Sequence, residues 1–162
     1  MGRQLKESSG GLMPNLYMLV GVPGSGKSTW IKNNKHDAVV LSTDNYIERY
    51  AMKTGKTYND MFKELIDVAT NEMGRDLEYA VKNNRDIIWD QTNLTVKSRK
   101  GKLNKIPKDY KKVAVYFSVP KDLRDRLASR PGKTIPEPVI ISMINQLQPP
   151  TKEEGFDEIV AV

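Results

Sequence analysis

Cysteine is absent from the 162 residues, which removes both a disulfide framework and a cysteine-ligated metal centre. Long apolar runs are absent too. None approaches the roughly 20 residues that a membrane-spanning helix needs, and no basic-then-apolar leader opens the chain. A soluble, cytoplasmic protein without a membrane partner is the expectation. No internal repeat is visible. Excess charge is modest: 26 Lys and Arg against 20 Asp and Glu leave +6, which permits a polyanionic partner without requiring one.

What is present suits one globular domain. The chain is 38% hydrophobic and 28% charged and long enough to bury a core. Residues 1–13 differ from the rest. Ser8-Ser-Gly-Gly11 is linker-like and Met13 directly precedes the first apolar run. They read as a flexible tail or an expression remnant, leaving 14–162 as the domain.

The first apolar run, Leu16 to Val20, enters Gly21-Val-Pro-Gly-Ser-Gly-Lys-Ser-Thr29. Gly21, Gly26, Lys27 and Ser28 fill the pattern G-x-x-x-x-G-K-[ST] without mismatch. Pro23, Gly24, Ser25 and Thr29 complete the loop. Glycines let the backbone approach phosphates closely, and consecutive N–H groups form an anion nest. The helix that starts near Lys27 adds its positive end. Lys27 is expected to reach the β- and γ-phosphates of a nucleoside triphosphate, and Ser28 to ligate Mg²⁺.

Four further strands follow. Ala38 to Thr43 is an apolar run ending at Asp44, which suits an N-cap and also a carboxylate facing a ligand at the strand's carboxyl end. Thr57 to Asn83 carries the longest helical pattern, with Met61, Phe62, Leu65, Ile66, Ala69, Met73, Leu77, Ala80 and Val81 on one stripe. Gly74 interrupts that stripe and marks a weak point or break. Asp86 to Asp90 is a short strand ending in a carboxylate, a loose Walker-B signal for a Mg²⁺-side residue. Thr95 to Lys105 is highly charged and reads as a solvated helix rather than a polyanion-binding surface.

Lys112 to Val119 is the fourth strand. Pro120 is placed to open the next helix, which carries Arg124, Arg126 and Arg130. Arg126 and Arg130 stand one turn apart and can point together. Two uses are open: clamping phosphates as a lid, or surface pairing with Asp122 and Asp125. Pro136 begins a last helix whose buried side is Val139, Ile140, Met143, Ile144 and Leu147, and Glu158 to Val162 closes as a strand. The alternation predicts an α/β fold of the P-loop NTPase type. It has a doubly wound, mostly parallel five-stranded sheet, helices on both faces and a helical, arginine-bearing lid.

The order of motifs resembles the 5′-hydroxyl polynucleotide kinase family. The P-loop is followed by Ser42-Thr-Asp-Asn-Tyr46, Trp89-Asp-Gln-Thr-Asn93, Arg126 with Arg130-Pro-Gly-Lys-Thr-Ile-Pro136, and Pro150-Thr-Lys-Glu-Glu-Gly-Phe156. The resemblance runs from Leu16 to Val162. It implies ATP and Mg²⁺ as cofactors, Lys27 on the donor phosphates and Ser28 beside the metal. It further implies Asp44 as general base for the acceptor hydroxyl, Asp90 as an acceptor-side acid, Arg126 in the active site and Arg130 as a lid arginine on donor phosphate. The implied acceptor is the 5′-hydroxyl of DNA or RNA, in a kinase half without a companion phosphatase or ligase. The sequence departs from the family in one place. Members carry an arginine three residues after the catalytic acid to hold the acceptor's phosphate, where this chain has Ile47, with Arg49 two positions on. The acceptor therefore stays open between a nucleic-acid end and a nucleoside, modified base or other small hydroxyl compound. A nucleotide-binding module without transfer is the third reading.

Overall fold

Alternation along β1 (Asn15–Val20) defines the two faces of the sheet. Leu16, Met18 and Val20 point into one hydrophobic cluster and Tyr17 and Leu19 into another, as the two-residue period of a strand requires. The structure, a computed structural model, describes residues 13–162. Of the tail expected over residues 1–13, all but Met13 lies outside them. Four strands join β1: β2 (Val39–Leu41), β3 (Ile87–Trp89), β4 (Lys111–Tyr116) and β5 (Glu158–Ala161). Their order is β2-β3-β1-β4-β5 and every pairing is parallel, so the expected mostly parallel sheet is wholly parallel.

Both faces are covered. On one, α1 (Lys27–Asn34) sets Trp30 and Ile31 against Leu19, Ile88 and Val115. On the other, Ala80 of α3 (Tyr58–Lys82) and Leu103 of α4 (Val96–Leu103) pack on Met18, Leu41 and Trp89. Complete burial of a side chain such as Leu or Ile contributes about 1.5–3 kcal/mol. The sheet therefore holds its strand ends firmly, and the loops leaving the adjacent strands β2, β3 and β1 emerge side by side.

Local signals explain most element ends, and several expectations change. α2 (Thr43–Thr54) is capped by Ser42, whose Oγ accepts from the Asn45 N–H at 3.1 Å. Asp44 is thus a first-turn residue rather than the cap. A capping box of Thr57 and Asp60 starts α3, and that helix runs through Gly74 unbroken, since a single glycine costs only about 1 kcal/mol and tertiary packing outweighs it. Of the α3 stripe, Met61, Leu65, Ala69 and Ala80 are buried, whereas Phe62 is exposed. Pro120 does not open α5 (Leu123–Ala128); Asp122 occupies its N-cap position. In α6 (Glu137–Gln146), Ile140 is buried and Met143 and the C-cap residue Leu147 pack half-buried on the same cluster, while Val139 and Ile144 of the expected buried side face solvent. The charged segment Thr95–Lys105 is helical as expected, but Arg99 within it is completely buried.

Candidate functional site

The P-loop follows directly from β1. Gly24 (φ 81°) and Gly26 (φ 107°) take left-handed backbone conformations that residues with a Cβ adopt only at a cost. Gly21 answers a different constraint, close approach: a Cβ there would lie 2.6 Å from Ser25 Oγ and 2.9 Å from Phe117 Cβ. Its N–H donates to the Thr92 carbonyl at 3.0 Å, which ties the P-loop to the loop after β3. Lys27 folds back and donates to the carbonyls of Gly21 (2.8 Å) and Val22 (2.9 Å). Burial lowers its pKa to about 8, partly opposed by the carboxylates of Asp90 and Asp44.

A cleft of about 440 Å³ opens beside this loop. Pro23, Gly24, Gly26, Lys27, Ser28 and Thr29 of the loop line it together with Asp44, Asp90, Arg126 and Arg130. Ser25 is absent from that lining, and its buried hydroxyl has no hydrogen-bond partner among the described residues. The five residues expected on catalytic grounds, Lys27, Asp44, Asp90, Arg126 and Arg130, therefore meet in one cleft. An adjoining recess of about 290 Å³ shares Asp44, Asp90, Arg130 and Lys133 and reaches Tyr58, Ile135 and Met143.

Asp44 is held from two sides. Tyr58 Oη donates to Oδ1 at 2.7 Å and Lys133 Nζ to Oδ2 at 3.0 Å. The ammonium also lies 3.6 Å from Glu48 and 4.5 Å from the centre of the Tyr58 ring. Burial raises the Tyr58 pKa, with Asp44 adding to it. Neither Tyr58 nor Lys133 stands out in the sequence. Tyr58 looks like one more aromatic at a helix start, and Lys133 sits unremarked inside Arg130–Pro136. Asp90 follows β3, its backbone N–H donating to Leu41 at 2.8 Å. Burial raises its carboxyl pKa and Lys27 partly counters this. Among the described residues none donates a hydrogen bond to that carboxylate.

The arginines separate. Arg124 pairs with Glu137 away from the cleft. Arg126 combines both expected behaviours, with Asp122 at 2.9 Å and the Gly24 carbonyl at 3.2 Å. Arg130 lines both the cleft and the recess. Ile47 is fully buried with Ala51, Met61, Leu65 and Ala69. Arg49 lies elsewhere, on the Asn45 carbonyl at 3.3 Å and beside Tyr46, in a groove with Lys53 and Glu72. Arg49 therefore does not take the position of the missing arginine.

A buried polar network supports the loop after β3, and sequence reading did not find it. Asn93, at φ 49°, donates to the carbonyls of Leu19 (2.7 Å) and Gln91 (3.2 Å). Its own carbonyl accepts from Arg99 at 2.9 Å. Lys102 donates to its side-chain oxygen. Arg99 in turn grips Glu154, the last residue of the capping box begun by Thr151. The D-x-T-N and P-T-x-x-E-G-F stretches are thus two ends of one structural assembly.

Residues 16–150 match the family described as AAA domain. The chain is 26% identical over 156 residues to human heterogeneous nuclear ribonucleoprotein U-like protein 2, covering 89% of this chain and 21% of that protein. Among solved structures, the Pnkp1/Rnl/Hen1 RNA repair complex contains a chain that superposes with a TM-score of 0.67 at 25% identity. That match spans 93% of this chain and 49% of the other. Shikimate kinase from Acinetobacter baumannii superposes with a TM-score of 0.54 at 16% identity, over 100% of this chain and 88% of that one, a likeness of fold alone. This chain thus spans about a fifth of the first relative and about half of the second. With the parallel sheet and P-loop described above, these matches establish that the chain belongs to the AAA domain family and has the fold of the P-loop kinases.

Proposed function

We propose that the chain transfers the γ-phosphoryl group of ATP to a hydroxyl acceptor, the 5′-hydroxyl end of DNA or RNA. The observation that carries this reading is that Asp44 shares one cleft with Lys27 and Arg130. A site that only binds or hydrolyses nucleotide has no use for a carboxylate held by Tyr58 and Lys133 on the acceptor side. Two of the matching proteins, a ribonucleoprotein and an RNA repair complex, are named for RNA, which supports a polynucleotide acceptor. The burial of Ile47 favours a second reading, a small hydroxyl acceptor such as a nucleoside or modified base.

The roles follow from position. The N–H groups of the P-loop and of the first turn of α1 would hold the β- and γ-phosphates. Lys27 would leave the carbonyls of Gly21 and Val22 for those phosphates. Arg130, with Arg126, would neutralise charge on the group in transfer, since a loose phosphoryl transition state demands positioning and neutralisation above all. Asp44 would orient the acceptor hydroxyl and receive its proton as the new O–P bond forms. The bond between the γ-phosphorus and its bridging oxygen breaks in the same step, and ADP leaves. Late proton transfer needs no strongly basic carboxylate.

Mg²⁺ fits Ser28 and Asp90. Ser28 lies in the first turn of the helix on the cleft, and Asp90 is a carboxylate with raised pKa and no donor from the described residues. Such a cation is normally held by one or two protein oxygens together with substrate phosphates and water. When bound it would neutralise phosphate charge. The test is incubation with γ-labelled ATP and Mg²⁺, offering 5′-hydroxyl oligonucleotides beside a panel of nucleosides. Label on oligonucleotide ends supports the reading; label on nucleosides alone overturns it in favour of the small acceptor. Asp44→Asn is expected to abolish transfer while ATP still binds.

A further inference from the structure

Charge is unevenly spread along the chain. Residues 96–112 hold eight Lys or Arg and a single acid, Asp109, an excess of seven where the whole chain has an excess of six. Everything outside that segment is therefore slightly acidic. The fold uses four of the eight cations internally. Arg99 is buried on Glu154, Lys102 donates to the Asn93 side chain, and Lys111 pairs with Glu158 at 3.0 Å. The Lys112 ammonium donates to the carbonyls of Pro107 (3.3 Å) and Tyr110 (3.4 Å). The other four, Lys97, Lys100, Lys105 and Lys108, are exposed, and none has a hydrogen-bond or ion-pair partner among the described residues. Glu154 and Glu158 are engaged by the pairs just named, and Asp157 accepts from the Lys112 backbone N–H at 2.8 Å.

The four lysines lie along one crossing of the molecule. Because every strand pairing is parallel, the segment joining β3 to β4 runs from the end of the sheet that bears the phosphate loop to the opposite end. It leaves shortly after Thr92, which lines the cleft. Lys97 and Lys100 follow on α4, then Lys105 and Lys108 on the turns before Lys111 opens β4. Six residues of β4 set the crossing at about 20 Å, a length over which one strand of duplex DNA presents about six phosphates. Leu103 and Ile106 hold the segment on the core, and Gly101 adds no side chain to its outer surface, with open space around it. The fold tolerates repulsion to keep these cations together: burial lowers the Lys102 pKa to about 8, and Lys105 adds to the effect.

The surface is nearly all ammonium. Among residues 96–112 Val96 is the one exposed large apolar side chain, and Tyr110, the one aromatic, is buried. Protein interfaces are depleted in lysine and anchored by aromatic or arginine residues, and a helix lying on a membrane needs an apolar face. Neither anchor nor apolar face is present here. Stacking on bases would need exposed aromatics. An ammonium group on a flexible stem suits phosphate, as a point charge without sequence readout.

We propose that the ridge formed by Lys97, Lys100, Lys105 and Lys108 binds nucleic acid through its phosphate backbone, without reading bases. The inference goes beyond the transfer reaction and stands without it, since none of the four lysines lines the cleft.

The experiment titrates the full chain, without ATP, into a fluorescently labelled duplex of about 20 base pairs that carries phosphate on both 5′ ends, so that no 5′-hydroxyl is offered. Binding is expected to weaken with salt at a log–log slope of about −3 to −4, the release expected for four phosphate contacts. Replacing Lys97, Lys100, Lys105 and Lys108 together by Gln is expected to weaken binding at least tenfold at low salt and to remove most of that slope. Binding of a fluorescent ATP analogue should be unchanged, which shows that the variant is folded. A matched variant with Gln at the exposed Lys32, Lys35, Lys53 and Lys63 carries the same change in net charge and should keep most of the affinity. Equal losses in the two variants would overturn the ridge in favour of general attraction to a basic protein. Polyglutamate or phosphatidylserine vesicles that displace the duplex at matched charge would overturn nucleic acid as the partner. An unsubstituted chain that does not bind the duplex at low salt overturns the inference and leaves the kinase reading to the labelled-ATP test.

Discussion

Arg99 donates to both carboxylate oxygens of Glu154, at 2.8 Å and 3.0 Å, across 55 positions of sequence. The pair is buried, with side-chain exposures of 0% and 5%. Removing one partner of a buried pair costs about 3–5 kcal/mol because the other charge is left uncompensated. The two partners are not equivalent. A guanidinium cannot shed its proton, while a carboxylate can take one up. Glu154→Ala is therefore expected to lower stability more than Arg99→Met, as read by urea denaturation at neutral pH. Equal, small losses would mean that the assembly behind Asn93 is held by packing alone.

The same pair sets an acid limit. Burial alone would raise the Glu154 pKa, but the hydrogen bonds from Arg99 and from the Thr151 N–H outweigh it and hold the group below its ordinary value. A carboxyl depressed on folding contributes stability above its unfolded pKa, and that contribution is lost as pH falls through the folded value. Thermal midpoints should fall on acidification below about pH 4.5, the ordinary glutamate value, and this component should vanish in Glu154→Gln.

Lys27 titrates in the opposite sense. Its pKa, lowered by burial to about 8, means that the protein loses this charge as pH rises through 8. Triphosphate favours the ammonium, so binding above pH 8 must draw a proton onto Lys27. ATP affinity should fall by up to about tenfold per pH unit in that range, the limit for uptake of one proton. Calorimetry in buffers of different ionisation enthalpy reads the uptake directly. Affinity that stays flat from pH 7 to 10 would contradict it.

Arg130 and Arg124 make a matched comparison, although only Arg124 lies in α5 and Arg130, expected on the same helix, stands two residues beyond its end. Arg130 borders the cleft, and Arg124 faces away towards Glu137. Arg130→Ala should lower kcat by about a hundredfold or more, in line with loss of a transition-state donor. Arg124→Ala should change it by less than about twofold, since exposed pairs contribute little. Equal rates in both variants would return Arg130 to a surface role.

Gly21→Ala tests close packing in the loop. The added methyl would meet Ser25 Oγ at 2.6 Å and Phe117 Cβ at 2.9 Å. Overpacking of this kind costs about 1–3 kcal/mol. Nucleotide binding should weaken along with the thermal midpoint. A stable variant with unchanged ATP affinity would show that the loop can shift to accept it.

Sequence and structure agree where chemistry is local and periodic. The P-loop, the carboxylates Asp44 and Asp90 that follow their strands, and the alternation of strands and helices were legible because each follows from a few adjacent residues; the order β2-β3-β1-β4-β5 was not. Arg99 was not. On a segment with Lys97, Lys100 and Lys102, nothing local distinguishes the arginine that finds a carboxylate 55 residues away. Lys133 escaped for a similar reason, its partner Asp44 lying 89 positions earlier. The α6 stripe failed only in part. Ile140, Met143 and Leu147 meet the core cluster of Val22, Leu94 and Leu123 as their spacing requires, but Val139 and Ile144 are outside it and face solvent.

Both tryptophans of the chain stand beside the phosphate loop and the strand-end acid. Trp30 lies in α1, stacked at a tilt 5.8 Å from Tyr17. Trp89 is the residue before Asp90, its indole N–H donating to Gln91 at 3.1 Å beneath the Lys102 ammonium. Indole emission responds to nearby charge and hydrogen bonding, so filling the cleft should alter the light that these two residues emit. The protein carries its own optical reporter, and nucleotide and acceptor occupancy can be followed on unlabelled material.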